Sequence, residues 1–200
     1  NISILDGCVI GKKGFGFFPN NKNNIRYPHI GIVIIDDNSE IGCGSTIDRG
    51  SLSNTVIGKN TFLDNQIHIA HNNKNLRYPH IGIVKIEDNC EIGCGSTIDR
   101  GSMSNTVIGK NTFLDNQIHI AHNVKIGDNT IIAGQVGIAG SSIIGKNVKI
   151  GGQAGISGHL KIGDNVEIAG GSGVIKDIPE NSKVMGYPAK NIRQFLRENK

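Results

Sequence analysis

The string Leu-Asp-Asn-Gln-Ile-His-Ile-Ala-His-Asn occurs twice, at residues 63–72 and 114–123. In the second copy, Asp115 precedes His122 by seven residues, and Gly140 and His159 follow it by 18 and 37. These residue types fit one chemistry. Histidine titrates near neutrality, at about 6.5, so it can take a proton from an attacking group. A carboxylate such as Asp115 can fix its tautomer and stabilise its protonated form. Gly140 offers a backbone N–H unshielded by a side chain, a donor able to hold the oxyanion of acyl transfer. No Ser or Cys stands beside a base in this strip, so direct attack by a bound amine or hydroxyl on a thioester is simpler than a covalent acyl-enzyme. From His71 the same steps reach Asn89 and Ile108, which suit neither role. His122 is therefore the expected base, and His71 its stranded counterpart.

Such spacings matter only if the fold turns them into proximity. From Ile108 an aliphatic residue opens each of twelve hexads without a slip, ending at Val174. A six-residue period predicts an all-β fold, a parallel β-helix with three hexads per 18-residue coil. The aliphatic residue points inward, Gly, Asn or Asp turns the corners, and coils stack ~4.8 Å apart. On that geometry His122, Gly140 and, one residue out of step, His159 share one strip.

Upstream, the period holds from Ile35 through Ile69 and again from Ile86, with one shortened unit at 53–56 and 104–107. Residues 26–72 and 77–123 match at 43 of 47 positions, differing at Ile34/Lys85, Asp36/Glu87, Ser39/Cys90 and Leu52/Met103. Near identity at an offset of 51 points to a recent or engineered duplication. Counted in hexads, with two further faces assigned across 75–85, the block spans nine faces, or three complete coils. Inserting it would lengthen the prism without rotating the coils beyond it. The β-helix domain is expected over 1–178 and a C-terminal extension over 179–200. Residues 19–24 read as a projecting loop, 180–188 as irregular chain, and 189–200 as a short amphipathic helix capping a sheet edge.

The 200 residues hold 28 Gly, 4 Cys and no Trp, and the formal charge of +4 is too small to imply nucleic acid. Cys8, Cys43, Cys90 and Cys94 form no C-x-x-C pair and read as reduced thiols. Polar residues interrupt every apolar run, so neither a signal peptide nor a membrane span is expected, and the expected location is cytoplasmic. A first residue of Asn rather than Met is expected of a fragment or processed chain. The last 25 residues carry six cations (Lys176, Lys183, Lys190, Arg193, Arg197, Lys200) against three anions, a basic end suited to an acidic partner.

Several longer strings carry a resemblance. Gly-Ser-Thr-Ile-Asp-Arg-Gly (95–101), the ten residues 114–123, Gln-Val-Gly-Ile-Ala-Gly-Ser (135–141) and Gly-Gly-Gln-Ala-Gly-Ile-Ser-Gly-His (151–159) resemble the UDP-3-O-acylglucosamine N-acyltransferases. Gly-Phe-Gly-Phe (14–17) and Gly-Tyr-Pro-Ala (186–189) fit the same family. The resemblance implies a left-handed β-helix, a homotrimer and active sites between subunits. It implies transfer of a 3-hydroxyacyl group from acyl carrier protein to the 2-amine of the UDP-sugar, a step in lipid A synthesis. No cofactor is implied beyond the carrier's phosphopantetheine, and no metal. His122 would be the general base with Asp115 beside it, Gly140 the oxyanion donor, and His159 a residue that positions or polarises the thioester. Asn116 and Asn123 would lie near substrate, with His119 in a supporting role. The basic C-terminal end would meet the carrier protein. The family begins with a uridine-binding domain that these 200 residues do not contain, and the duplicated block parts Gly-Phe-Gly-Phe from His122.

Two other readings compete. His119, His122 and His159 could ligate zinc across a subunit boundary, as in a γ-carbonic-anhydrase-like hydratase. The chain could also be a catalytically impaired scaffold of the same family.

Overall fold

The computed structural model describes residues 1–13, 17–18, 25–26, 28–70 and 82–198. Short strands, most of them two or three residues long, wind into a three-sided prism. The first face has ten strands, from Ile2–Ile4 to Lys190–Asn191. The second has eight, from Val9–Lys13 to Gly173–Val174, and the third has seven, from Val33–Ile35 to Lys161–Ile162. Neighbouring strands on these faces pair in parallel, except for the antiparallel hairpin of Lys183–Met185 with Lys190–Asn191. A separate two-stranded antiparallel ribbon joins Phe17–Phe18 to Ile25–Arg26.

Each strand sends one aliphatic residue to the axis. Ile126, Ile132, Ile138, Ile144, Ile150, Ile156, Ile162 and Ile168 are all at most 3% exposed. Each such side chain contributes roughly 1.5–3 kcal/mol on burial, so a coil of three sustains itself without large aromatics. Corners need left-handed backbone, and Asn adopts it more readily than most residues. At the corner between the third and first faces, Asn60, Asn89, Asn111, Asn129, Asn147, Asn165 and Asn181 all have φ of 52–59°. Their amides form ladders along the prism, Asn60 to Asn89 to Asn111 to Asn129, and Asn147 to Asn165 to Asn181, at 2.9–3.1 Å. Beside the amides the residues alternate in charge: Asp37, Lys59, Asp88, Lys110, Asp128, Lys146, Asp164. Asp88 accepts the Lys59 N–H from one coil and pairs with Lys110 Nζ of the next, and Asp128 does the same between Lys110 and Lys146.

The duplicated block is two coils long, not three. On the third face Ile35, Ile57, Ile86, Ile108 and Ile126 stack in register, giving steps of 22, 29, 22 and then 18 residues. Two steps, 22 and 29, account for the 51-residue offset, so the block has six faces. The expected shortened hexad is instead a lengthened corner. The four residues by which 22 exceeds 18 lie between the second and third faces, where a Cβ on Gly50 or Gly101 would sit 1.8 or 1.5 Å from the Ser53 or Ser104 carbonyl. The eleven by which 29 exceeds 18 match residues 71–81, so His71 and most of the two faces assigned across 75–85 lie outside the described residues. The loop expected over 19–24 lies outside them too. Insertion by whole coils still holds.

The C-terminal helix spans Ile192–Glu198, shorter than expected, because Lys190–Asn191 is taken up as the last strand of the first face. The chain before it, expected to be irregular, supplies the hairpin's first strand. Among the described residues no helix is long and apolar enough to cross a membrane.

One substitution between copies falls inside the core and preserves its bond. Ser39 Oγ donates to Gly58 O at 2.9 Å, and Cys90 Sγ donates to Gly109 O at 3.1 Å. Burial pushes the Cys90 thiol up to about 11, which keeps it protonated and unreactive at pH 8. Alkylation of the folded chain at pH 8 is expected to modify exposed Cys43 and to spare Cys90 until denaturant is added. Peptide mass spectrometry reads the difference directly.

Candidate functional site

His122 stands where the second face turns into the third, just past the strand His119–Ile120. The turn is held by Asn123, which has φ of 61°. Its backbone N–H donates to Thr106 Oγ1 at 2.9 Å, and its Oδ1 accepts the Ser102 N–H at 2.6 Å. Its Nδ2 donates to Ser102 Oγ at 2.7 Å and lies 3.2 Å from His122 Nδ1. Ser102 belongs to the lengthened corner one coil below, so those extra residues buttress the histidine. Asn123 acts here as a bracket for the ring, and much of its amide is already engaged.

Gly140 lies directly above His122. A Cβ built on it would sit 2.6 Å from His122 Cε1 and 2.7 Å from Nε2, so the imidazole rests on the bare Cα. The coil-to-coil bonds pass on either side, from Ala139 N–H to Ile156 O and from Ser141 N–H to His122 O. The next coil brings His159, whose N–H donates to Gly140 O at 3.0 Å. Its φ of 62° places His159 in the Asn123–Ser141 column, one residue out of line with His122, as the spacing predicts.

The remaining predicted residues sit elsewhere. Asp115 and Asn116 turn the opposite corner, where the first face meets the second. The Asp115 carboxylate accepts Asn116 N–H at 2.7 Å and Gly134 N–H at 3.1 Å, and Asn116 lies over Gly93. The whole second face separates this pair from His122, so within one subunit Asp115 is a corner cap and not the ring's partner. His119 lies between the two corners, exposed, with Nδ1 bonded to Thr97 Oγ1 at 2.7 Å.

His119 also begins a feature that none of the sequence motifs marks. Its column on the second face continues in register through Gly137, Gly155 and Gly173. Three glycines in line leave a trough without side chains. Tyr187 closes its far end, since a Cβ on Gly173 would lie 1.9 Å from the Tyr187 ring. The resulting cleft holds about 510 Å³ and is walled by Ala121, Ala139, Gly140, Ser157 and Ile175. It therefore runs along the His122 corner and touches Gly140. The signal was legible: a glycine precedes the inward residue at 137, 155 and 173, one coil apart.

Among the described residues no three His, Cys, Asp or Glu side chains converge in a way that could hold a metal ion. Zinc ligation by His119, His122 and His159 would need geometry supplied by a second subunit.

Residues 105–140 and 141–176 match the bacterial transferase hexapeptide (six repeats) family model. The chain is 45% identical over 95 residues to UDP-3-O-acylglucosamine N-acyltransferase of Dechloromonas aromatica (strain RCB), covering 48% of this chain and 26% of that protein. It is 49% identical over 73 residues to the enzyme of that name from Nitrobacter hamburgensis, covering 36% and 20%. The chain thus spans about a quarter or less of the curated relatives it matches. Among solved structures, a UDP-N-acetylglucosamine acyltransferase superposes with a TM-score of 0.74 at 26% identity, covering 99% of this chain and 73% of that one. The O-acyltransferase from Moraxella catarrhalis RH4 gives 0.61 at 28%, covering 100% and 76%. The hexapeptide repeats and these neighbours make the prism a left-handed parallel β-helix.

Proposed function

We propose that this chain carries the acyl-transfer site of an N-acyltransferase of lipid A synthesis. It would move a 3-hydroxyacyl group from acyl carrier protein to the 2-amine of UDP-3-O-acylglucosamine. The observation that carries this reading is the His122 imidazole lying on Gly140 at the wall of a side-chain-free trough. A thioester seated there has a base within reach of the incoming amine and a backbone corner at its carbonyl oxygen. The amine attacks the carbonyl carbon as His122 takes its proton. The tetrahedral oxyanion collapses, the C–S bond breaks, and the pantetheine thiolate leaves and takes up a proton. His159, one coil beyond Gly140, is the residue suited to orient the thioester.

The trough suits a linear chain, because Gly137, Gly155 and Gly173 expose only backbone for about two coil steps, or roughly 10 Å. Tyr187 is then the side chain that ends it. A Cβ on Gly155 would meet nothing within 4 Å, so Leu fits there without strain on the coil. Gly155→Leu is expected to lower kcat/KM for long acyl donors by at least about tenfold relative to short ones. Competing donors of different length in one assay read the ratio.

Homotrimer formation supports the same reading from another side. Asp115 and Asn116 stand at one corner and His122 at the next, so a neighbouring subunit could bring the two sets together. The basic C-terminal end suits an acidic carrier protein, and the location consistent with these partners is the cytoplasm. The deciding measurement is transfer from 3-hydroxyacyl carrier protein to the UDP-sugar amine, followed by mass spectrometry. A purified trimer that leaves the amine unacylated overturns the assignment.

A further inference from the structure

The second face continues below His119, and its character changes there. The column that supplies the glycines runs back in register through Thr97, His68 and Thr46. Thr46 Oγ1 bonds His68 Nδ1, as Thr97 Oγ1 bonds His119 Nδ1, so the duplication has doubled one Thr–His unit. Each bond occupies Nδ1 and leaves the imidazole's other nitrogen for a ligand; both rings are exposed.

Charge gathers beside this column. In the strands Val9–Lys13 and Thr46–Arg49, Lys12 is in register with Asp48, and Lys13 with Arg49. Like charges side by side on neighbouring strands are unfavourable without an anion between them. Arg100 adds a further cation, only 5% exposed, and Asp48 lies within electrostatic reach of His68, Lys12 and Arg100. Lys12, Lys13, Arg49 and Arg100 thus stand against Asp48 and Asp99, an excess of two positive charges before any histidine is protonated.

We propose that this Thr–His column and its cationic flank form a binding track for the diphosphate of a nucleoside diphosphate, collinear with the trough. Lys12 and His68 are its exposed contacts. An amphiphilic nucleotide-linked substrate would then lie along one face, its anionic head over the first copy and its reacting end at His122. The first copy is a binding surface and not a second catalytic centre. The direction of the ligand rests on the acyl-transfer reading; the anion site itself does not.

Calorimetry with UDP tests it on the intact chain. UDP is expected to bind, inorganic pyrophosphate to compete, and uridine alone not to. His68→Ala and Lys12→Ala should each raise the UDP Kd by about tenfold, whereas Lys161→Ala, an exposed lysine on the third face, should leave it unchanged. Both altered residues are exposed, and an unchanged melting temperature checks that the fold is kept. Absence of UDP binding, or a Kd that neither variant moves, overturns the proposal. Acyl transfer with a UDP-sugar KM unaffected by His68→Ala sinks it while leaving the enzymatic reading intact. UDP binding that depends on His68 in a chain without transferase activity does the reverse.

Discussion

His122→Ala is expected to lower acyl transfer by about 10²–10⁴-fold, the range spanned by losing a positioned general base. At 1.36 kcal/mol per decade, that corresponds to about 2.7–5.4 kcal/mol of transition-state stabilisation. The side chain is held from outside by Asn123 and Ser102, so its removal leaves the turn's backbone bonds in place. The contrast is His71→Ala, which should change the rate little, because neither Gly140 nor His159 stands at the corresponding steps from it. Equal losses from the two variants would show that both copies contribute to turnover. Steady-state rates with a saturating donor, beside circular dichroism of each variant, decide the matter.

Gly140→Ala is expected to cost about 100-fold in kcat, although the change adds one methyl group and lies outside the duplicated string. The added carbon would approach three ring atoms of His122 at 2.6, 2.7 and 3.1 Å. Backbone at Gly140 is not left-handed, so alanine meets no conformational penalty and the coil should keep its stability. The imidazole is the part that must yield. A ring pushed away from the corner no longer reaches the amine, so kcat should fall more than KM rises. A Gly140→Ala enzyme at wild-type rate would remove both the oxyanion corner and the ring's resting place from the mechanism.

The hexad period made the prism legible because one buried aliphatic per strand is the whole of its core logic. Ile108 to Val174 could be read strand by strand for that reason. Coil number in the duplicated block was not legible, since the period does not say whether extra residues add a face or swell a corner. Four residues near Ser53 and Ser104 swell a corner, and a count of faces went wrong there. The site divided along the same line. His122, Gly140 and His159 are related by multiples of a coil, so spacing found them. Asp115 is related to His122 by a face, and seven residues of sequence became the width of the prism. Ser102 reaches the site only through a lengthened corner that no hexad count anticipates.

The charged ridge beside the asparagine ladder has a consequence for how such a molecule can grow. Acid and base alternate there, so electrostatically the repeating unit is a pair of coils. Inserting two coils carries an Asp–Lys pair along, and both junctions still meet opposite charges. Inserting one or three would set Lys59 against Lys110, or Asp37 against Asp88, along the whole new seam. The hydrophobic interior accepts any whole coil, but the ridge adds parity. Lengthening of this prism is therefore permitted in even numbers, and the duplication it carries is the smallest step allowed.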